Sequence, residues 1–411
     1  MTSATLGSLP LDGASFKQDA AVIGLVGLAH ASSHFAHLLL PLMYPVFMKE
    51  FGLSFSELGL LMTVFFVVSG LGQASAGFVV DRFGARPVLY GSMTIFILVC
   101  LLASTATGYS SLFAVAVLLG LANSPFHPID FTILNQRVSQ QRLGHAFSAH
   151  SLTGSLGWAL APVFMVGITT ISSWRTAYLA AAFLYLVIFI FLILKRDQLQ
   201  TEVVPRHPSD QPGQDLAFIK MPVVWFCFAF FLLSTITLGM VQNYSVSLLQ
   251  ALYSVSFEAA TVTLTAYLLC SALGIFVGGF VATRHLQHSD RVVASCMTVG
   301  ALLLILCGST MLSGWATMVV LAITGFAIGI GGPSRDMMIK KATPKGATGR
   351  VYGLVYSGFD VGFAIAPLLF GMMLDRRWYS ASFFCAAMIL LLSVVAAFGV
   401  GFKIKAPAHP A

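Results

Sequence analysis

The sequence predicts an all-α membrane protein with twelve transmembrane helices, arranged as two six-helix halves that repeat each other. Three observations lead to this fold class. The chain is 57% hydrophobic and only 9% charged, whereas a soluble domain carries about 25% charged residues. Its 411 residues divide into apolar runs of about 20 residues, the length that crosses a bilayer. The second half also carries glycines and prolines of the first half at a nearly constant offset.

This composition excludes several classes of protein. A chain this apolar cannot cover a water-facing surface of its own size, which excludes a cytosolic enzyme, a nucleic-acid-binding module and a disordered chain. An outer-membrane barrel is excluded because its strands alternate polar and apolar residues. The net charge of +7 is scattered over short loops, so we predict no nucleic-acid partner. The six cysteines lie singly in apolar stretches and indicate no metal or redox site.

Apolar runs bounded by turn signals give the helices in chain order. They are predicted at residues 21–47, 56–80, 87–107, 111–136, 145–171, 174–194, 222–250, 257–282, 292–312, 315–339, 350–374 and 379–402. A polar stretch at 195–221, rich in Pro, Asp and Gln, separates six spans from six and is predicted to be a linker. The predicted domains are an N-terminal half, a C-terminal half and two tails, at 21–194, 222–402, 1–20 and 403–411.

The basic residues of the loops predict the orientation. Seventeen lysines and arginines fall in the loops on the side of the N-terminus, and four fall in the loops on the other side. Cytoplasmic loops carry the excess of Lys and Arg. We therefore expect a monomeric integral protein of a bacterial inner membrane, surrounded by lipid, with both tails and the linker in the cytoplasm.

The two halves repeat each other in sequence. Segment 56–82 aligns without gaps on 258–284 at an offset of 202, and two later segments align at an offset of 205. The matching glycines are, in pairs, Gly72 and Gly274, Gly77 and Gly279, Gly120 and Gly325, and Gly157 and Gly362. An internal repeat of this kind is typical of secondary transporters, which hold their substrate near the membrane midplane between the halves.

The loop after the second span carries a motif, GFVVDRFGARP, in which the spacing of its Gly, Asp and Arg residues resembles the loop motif of the major facilitator superfamily. The resemblance implies the major facilitator fold and alternating access. It also implies that the motif braces the cytoplasmic side when the carrier faces outward, so we predict a gating role for Gly77, Asp81, Arg82, Gly84 and Arg86. The glycines would allow close helix approach and a tight turn, and Asp81 would lie against a helix N-terminus. The two arginines can alternatively be ordinary positive-inside anchors.

Within that superfamily the chain is similar to the fosmidomycin-resistance type of drug exporter. The matching pieces are His30, Tyr44-Pro45, Phe126-His127-Pro128 and the segment RLGHAFSAHSLTGSLGWALAP. That type tends to carry an Asn-Asp pair where this chain has Ser33-His34, and an acid directly after FHP where this chain has Ile129 and then Asp130. The resemblance implies efflux of a drug-like solute, and the departures concern its specificity.

Histidines and one aspartate occupy membrane-spanning positions of the first half, where an ionisable group is costly and needs a reason. His30, His34 and His37 share one face of the first span, because they are spaced i, i+4 and i+7. Three interpretations remain open: neutral hydrogen bonds between helices, a transition-metal site, or a role in proton coupling or in binding an anionic substrate. For the group as a whole we predict the last, without a metal. Substrate contacts are assigned to His30, His37, Asn123, His127 and His150, and proton coupling to His34 and His127 with Asp130 or Asp360 as partner.

Polar residues also interrupt the spans of the second half. We predict that Asn243, Tyr244 and Asp360 face the substrate. Arg335 is equivalent to Asp130 at the offset of 205, so we predict that the two form an ion pair that gates the cytoplasmic side in the outward-facing state. Arg335 can alternatively pair with Asp336 or extend to the inner surface.

These features together predict a secondary active transporter of a small organic, anionic or amphipathic, drug-like solute, acting by proton-coupled efflux. An uptake symporter for an organic anion is the alternative. The chain carries no Walker, GxSxG or HExxH motif, so we predict neither ATP use, nor an enzyme, nor a cofactor. A receptor or scaffold is disfavoured because the sequence predicts no soluble domain.

Overall fold

The computed structural model describes residues 15–202, 219–342 and 348–405. The α-helices, numbered in chain order, are α1 (Phe16–His37), α2 (Tyr44–Phe51), α3 (Phe55–Phe83), α4 (Ala85–Ser104), α5 (Tyr109–Asn123), α6 (Phe126–Arg137), α7 (Leu143–Ile171), α8 (Trp174–Leu194), α9 (Pro222–Tyr253), α10 (Phe257–Arg284), α11 (Ser289–Gly308), α12 (Gly314–Ala342), α13 (Thr348–Asp375) and α14 (Tyr379–Lys405). Within these ranges, 12 segments are long and apolar enough to cross a membrane, which confirms the twelve predicted spans. Arg206 and Lys345, which entered the charge count, lie outside the described residues.

Two predicted spans are each divided into two helices. The first span changes from α1 to α2 through a 3-10 turn at Pro41–Met43, and the fourth changes from α5 to α6 around Pro125. Proline lacks the backbone N–H that would continue the helical hydrogen bonds, so the helix ends before it. The second break places Asn123 at the end of α5 and His127 in the first turn of α6.

The first helix begins earlier than the sequence predicted, inside the predicted tail. Ser15 caps it, because its hydroxyl oxygen accepts from the N–H of Gln18 and the Gln18 side chain accepts from the N–H of Ser15. Asp19 therefore belongs to α1 and is fully buried. Its carboxylate accepts from the Ser139 hydroxyl and from the Arg142 guanidinium, each at 2.6 Å. These contacts fasten α1 to the turn between α6 and α7.

Hydrogen bonds identify the two ends of the bundle. At the end where the linker begins, which we call the linker face, the N–H of Ala85 donates to Thr201 and the Arg86 guanidinium donates to the Arg196 carbonyl. At the opposite face the Arg175 guanidinium donates to the Glu50 carboxylate at 2.6 Å. Twelve spans bring the start of α1 and the end of α14 to the linker face.

The sequence repeat is also a repeat of packing. A Cβ on Gly120 would lie 2.5 Å from the Phe65 carbonyl oxygen, and one on its counterpart Gly325 would lie 2.2 Å from the Tyr267 carbonyl oxygen. Such distances admit no side chain, so the helices touch there through their backbones. The next paired glycines behave in the same way. Gly157 packs on the Ala31 carbonyl of α1, and Gly362 packs on the Leu232 carbonyl of α9, the equivalent helix.

The two halves meet at the opposite face, where α3 packs on α13. The Thr63 hydroxyl donates to the Ala364 carbonyl at 2.7 Å, and the Phe55 N–H donates to the Asp375 carboxylate at 2.7 Å. A Cβ on Gly371 would lie 2.6 Å from the Phe55 carbonyl oxygen. The bundle is therefore closed at the opposite face.

Candidate functional site

The main polar feature inside the bundle is a cluster in the N-terminal half, which we call the histidine cluster: His30, His127, His150 and Asp130. Asp130 has 0% exposure, and its Oδ2 atom lies 3.0 Å from His30 Nδ1 and 3.0 Å from His150 Nε2. The rings of His30 and His150 stack with their centroids 3.6 Å apart. Helices α1, α6 and α7 thus bring one carboxylate and two imidazoles into direct contact.

His127 completes the cluster from the first turn of α6. Its ring centroid lies 5.3 Å from that of His30 and 5.9 Å from that of His150. One ring nitrogen from each of the three histidines lies within 4.8 Å of the other two. The three imidazoles therefore converge on one small volume beside Asp130.

Several atoms of the histidine cluster have no hydrogen-bond partner in the described part of the chain. They are His30 Nδ1, His127 Nδ1 and Asp130 Oδ1, all of which are buried. A buried polar atom left unpaired costs about 1–3 kcal/mol. The cluster is therefore suited to bind a proton, an ion or a polar group of a ligand.

His37 belongs to a separate hydrogen-bond network. The indole N–H of Trp158 donates to His37 Nδ1 at 3.2 Å, so that nitrogen carries no proton. His37 Nε2 then donates to Asn123 Oδ1 at 3.2 Å. Asn123 also accepts from Ser33 and donates to Ser69, each through its side chain. These contacts hold His37 as a neutral ring and use both ends of the Asn123 amide to join α1, α3 and α5.

His34 lies between these two groups. Its ring centroid is 4.3 Å from that of His30 and 4.2 Å from that of Trp158. The histidines that contact the Asp130 carboxylate are His30 and His150, and His34 is not among them. A Cβ on Gly154 would lie 2.7 Å from His34 Nδ1 and 2.9 Å from His30 Nε2. Gly154 thus leaves the room that both rings occupy, a role that its position in an apolar helix did not signal.

The C-terminal half presents a cation at the position equivalent to Asp130. Arg335 Nε donates to Asp336 Oδ1 at 2.9 Å, which is the local pairing that the sequence left open. The guanidinium carbon lies 4.8 Å from the ring centroid of Phe231 and 5.6 Å from that of Phe359. The predicted pair of Arg335 with Asp130 belongs to a state closed at the linker face, and it stays a prediction.

Asp360 lies on α13 where this helix faces the N-terminal half. A Cβ on Gly70 of α3 would lie 3.3 Å from the Asp360 Cβ. Asp360 is partly exposed, and it forms no ion pair with the residues that the structure describes. Within the described residues, no hydrogen bond or ion pair joins it to the histidine cluster.

The two polar residues predicted to face the substrate from α9 form hydrogen bonds outside the histidine cluster. Asn243 donates to the Gly239 carbonyl of its own helix at 2.7 Å. The Tyr244 hydroxyl donates to the Pro367 carbonyl at 2.5 Å and lies 3.2 Å from the Phe55 carbonyl. Tyr244 therefore belongs to the closed contact at the opposite face, a position that favours gating over substrate binding.

The loop motif between α3 and α4 agrees with one of its predicted glycine roles. Gly84 has φ 82°, so it makes the tight turn that only glycine adopts easily. The close approach predicted for Gly77 is wrong, because a Cβ there would meet nothing within 4 Å. Gly72 provides it instead, with a Cβ position 2.6 Å from Ser124 Cβ. Asp81 and Arg82 are exposed, and Arg86 is bonded to the Arg196 carbonyl.

Comparison with known proteins finds relatives along most of the chain. The family model described as Major Facilitator Superfamily matches residues 26–261 and 237–411. The fosmidomycin resistance protein of Escherichia coli is 23% identical over 386 residues, which are 92% of each chain. The hexuronate transporter of Bacillus subtilis is 21% identical over 91% of this chain and 93% of its own. The membrane sensor protein UhpC of Escherichia coli is 25% identical over 81% of this chain and 80% of its own.

Solved structures share the fold. A bacterial homologue of the human lysosomal transporter Spinster, in an inward-facing and occupied conformation, superposes with a TM-score of 0.73 at 14% identity. The alignment covers 95% of this chain and 97% of that one. A mutant of the nucleoside transporter NupG superposes with a TM-score of 0.72 at 15% identity, over 93% of this chain and 100% of its own.

Proposed function

Because the chain belongs to the major facilitator superfamily, we propose that it is a secondary transporter which moves a small organic solute by alternating access. Proton-coupled efflux is the mode that we propose, and uptake by proton symport is the alternative. The single observation that carries the coupling is the Asp130 carboxylate, fully buried between two histidines within the membrane-spanning bundle. A buried ionisable cluster of this kind is costly in a membrane protein, and proton relays are among its common functions.

The closed contact at the opposite face supports alternating access. Thr63, Phe55 and Tyr244 seal the two halves there through hydrogen bonds to the backbone or to Asp375. Solute would then enter and leave this conformation from the linker face. The opposite conformation requires that these bonds break and that α6 and α12 approach each other at the linker face.

The side chains around the centre suit an amphipathic anion. Arg335 offers a guanidinium between the rings of Phe231 and Phe359, which can hold a carboxylate or phosphonate beside an apolar group. The names of two relatives, a fosmidomycin resistance protein and a hexuronate transporter, give the first compounds for a substrate screen. We propose that the solute contacts His127 and Asp360 as well, since both are only partly buried.

We also propose that the linker face is cytoplasmic, in a bacterial inner membrane, and that the protein acts as a monomer. The excess of basic residues on the loops of that face supports this orientation. Single cysteines at Asp197 and at Lys49 should react with an impermeant reagent from opposite sides of the membrane. Labelling of Asp197→Cys in intact cells would contradict the orientation.

The test of function is transport by the purified chain in proteoliposomes. Solutes that raise its melting temperature are loaded, and their movement is measured with and without an imposed pH gradient, alongside a pH dye inside the vesicles. Solute leaving as protons enter indicates antiport, and solute and protons entering together indicate symport. Asp130→Asn should abolish the response to the gradient, whereas Asp197→Asn, a fully solvated carboxylate at the linker face, should retain it.

Two results would contradict the proposal. If transport by the wild-type chain does not respond to the pH gradient, the proposed proton coupling is wrong. Binding of a solute without any movement would favour the receptor class, to which the relative named as a membrane sensor protein also points.

A further inference from the structure

We propose that His30, His127, His150 and Asp130 form a binding site for one divalent transition-metal ion, with zinc as the ion that it fits best. The site offers three imidazole nitrogens and one carboxylate oxygen. Zn²⁺ takes four such ligands in a tetrahedron. The sequence could not assign this site, because the ligands come from α1, α6 and α7 and include only one of the three histidines of the first span.

The distances between the donor atoms agree with a tetrahedral shell. Zinc binds imidazole nitrogen and carboxylate oxygen at about 2.0–2.2 Å, which places neighbouring donors about 3.3 Å apart. Asp130 Oδ2 lies 3.0 Å from the nearest nitrogens of His30 and His150, and the three histidine donors lie within 4.8 Å of one another. A movement of the histidine side chains by about 1.5 Å, from donor separations of up to 4.8 Å to about 3.3 Å, would bring the three imidazole nitrogens onto one ion. Side-chain rotation supplies a movement of that size.

The contact of His30 with Asp130 does not have the direction of a hydrogen bond. His30 Nδ1 is 3.0 Å from Asp130 Oδ2, yet neither this nitrogen nor Asp130 Oδ1 has a hydrogen-bond partner in the described part of the chain. Two donor atoms this close that are not hydrogen-bonded to each other can both bind one ion after a small rotation of their side chains. A proton shared between His150 and Asp130 would leave the buried nitrogens of His30 and His127 unpaired, whereas a metal ion would use them.

The ligand set also limits which metal fits. It contains no thiolate or thioether, which soft ions such as Cu(I) prefer, and only one carboxylate, whereas Mg²⁺ and Ca²⁺ require several oxygens. His37 is excluded as a ligand because Trp158 and Asn123 occupy its two nitrogens. The rings of His30 and His150 stack at 3.6 Å, so one of them has to turn about its Cβ–Cγ bond for both to aim a nitrogen at the same ion.

A metal at this site has a consequence for the conformational cycle. It fixes Asp130 inside the N-terminal half, so Asp130 cannot pair with Arg335 across the linker face. Because metal and protons compete for the same nitrogens, occupancy should also fall as the pH decreases. Metal binding does not depend on the proposed transport function, and it is measured separately from transport.

The test is metal binding by the purified full chain in detergent, prepared without a histidine tag. Zn²⁺ is titrated against a chromophoric chelator, and Co²⁺ is used as a spectroscopic probe of geometry. We expect one tightly bound Zn²⁺ per chain and the intense visible absorption of tetrahedral Co²⁺. His150→Gln and His127→Gln should each weaken Zn²⁺ binding by about 100-fold or more, since even loss of an outer-shell partner costs about 10- to 100-fold.

Exposed histidines provide the matched controls. His145→Gln alters α7 one and a half turns before His150 and should leave binding unchanged. The double variant His285→Gln with His288→Gln removes the exposed pair beside α11 and should also leave it unchanged. His127→Gln keeps the test decisive if His150→Gln does not fold, because His127 makes no hydrogen bond to the described residues.

Three results would overturn the proposal. They are the absence of stoichiometric Zn²⁺ binding by the wild-type chain, binding that the exposed-histidine variants remove, and an octahedral Co²⁺ spectrum. A chain that binds Zn²⁺ but transports nothing would contradict the proposed function and leave the metal site standing.

Discussion

Asp130 in the N-terminal half and Arg335 in the C-terminal half occupy equivalent places in the repeat, yet the two surroundings are built from different chemistry. Asp130 lies between two imidazoles, and Arg335 lies over two phenyl rings beside a carboxylate. The correspondence extends to the first helix of each half. Gly157 on Ala31 matches Gly362 on Leu232, which makes Phe231 the counterpart of His30.

The two halves share one backbone scaffold but surround a buried anion in one half and a cation in the other. The backbone contacts of the glycines are kept in both halves, and the side chains between them are exchanged. Where the first half places a titratable ring against an anion, the second half places an apolar ring against a cation. The first half is therefore suited to exchange a proton or a metal ion, and the second to hold a fixed positive charge.

The largest expected effect comes from exchanging the two charges. Asp130→Arg and Arg335→Asp should each reduce transport by roughly 100-fold or more, because an uncompensated buried charge costs about 3–5 kcal/mol. The double exchange should restore part of the activity if the two side chains pair when the linker face closes. Initial rates in proteoliposomes measure both.

The local partner of Arg335 provides the control for this exchange. Asp336→Asn removes the partner at 2.9 Å and leaves Asp130 untouched. If Asp336→Asn is as harmful as Arg335→Asp, and the double exchange gives no recovery, Arg335 acts only within its own half.

The next effect concerns the rings that accompany Asp130. His34→Gln should retain substrate binding and lose accumulation driven by a pH gradient, measured from about pH 5.5 to 8, a range that brackets the usual histidine pKa. His127→Gln should lose this accumulation too, and it should also weaken binding of the solute, which is proposed to contact His127. His37→Gln should have little effect on accumulation, because Trp158 and Asn123 fix His37 as a neutral ring. Thr235→Val, at the position equivalent to His34, is the control in the other half.

The contacts of Asp130 distinguish the expected roles of His30 and His34. His30 touches the carboxylate, and His34 does not. A greater loss of coupling in His30→Gln than in His34→Gln would assign the proton to the contact partner. Normal accumulation in both His34→Gln and His127→Gln at every pH would move the coupling role to Asp360.

A smaller effect should distinguish the glycine contacts of the two halves. A Cβ on Gly157 would lie 2.2 Å from the Ala31 carbonyl oxygen, and one on Gly362 would lie 2.8 Å from the Leu232 carbonyl oxygen. Gly157→Ala should destabilise the chain by about 1–3 kcal/mol, the usual cost of overpacking, and Gly362→Ala by less. Thermal unfolding in detergent is the measurement.

Gly167→Ala, on the same helix as Gly157, is the matched control for this comparison. A Cβ there meets nothing within 4 Å, and alanine is a better helix former than glycine by about 1 kcal/mol, so it should not destabilise the chain. Equal melting temperatures for all three variants would show that the helices move apart at these contacts without loss of stability.

The smallest effect is expected at the loop motif, which is complete in the first half only. Asp81→Asn should shift the balance away from the outward-facing state by about 2- to 5-fold, the scale of one charge near a helix end. Thr283→Ala, at the equivalent place in the second half, should not. The readout is labelling of a single cysteine at Thr63, which becomes accessible when the opposite face opens. Unchanged labelling with normal transport would leave Asp81 as a topological anchor.

The number of spans, the internal repeat and the family follow from the amino-acid sequence. Hydrophobic runs count the helices because each must be long enough to cross the bilayer. The resemblance of GFVVDRFGARP to the superfamily motif is confirmed by the family match over most of the chain. The paired glycines identified the contacts at Gly120 and Gly325 because only glycine permits backbones to touch.

Which polar side chains meet depends on how the helices pack in three dimensions. Spacing along α1 put His30, His34 and His37 on one face, but their partners depend on which helix packs against each turn. His30 contacts Asp130 and stacks on His150. His34 stacks on Trp158, and His37 is hydrogen-bonded to Asn123. Gly77 is a second example. The motif predicted a close helix contact at Gly77, but the helix packing places that contact at Gly72. A sequence pattern has one dimension and fixes the direction of a side chain relative to its own helix, whereas a binding site forms where several helices converge.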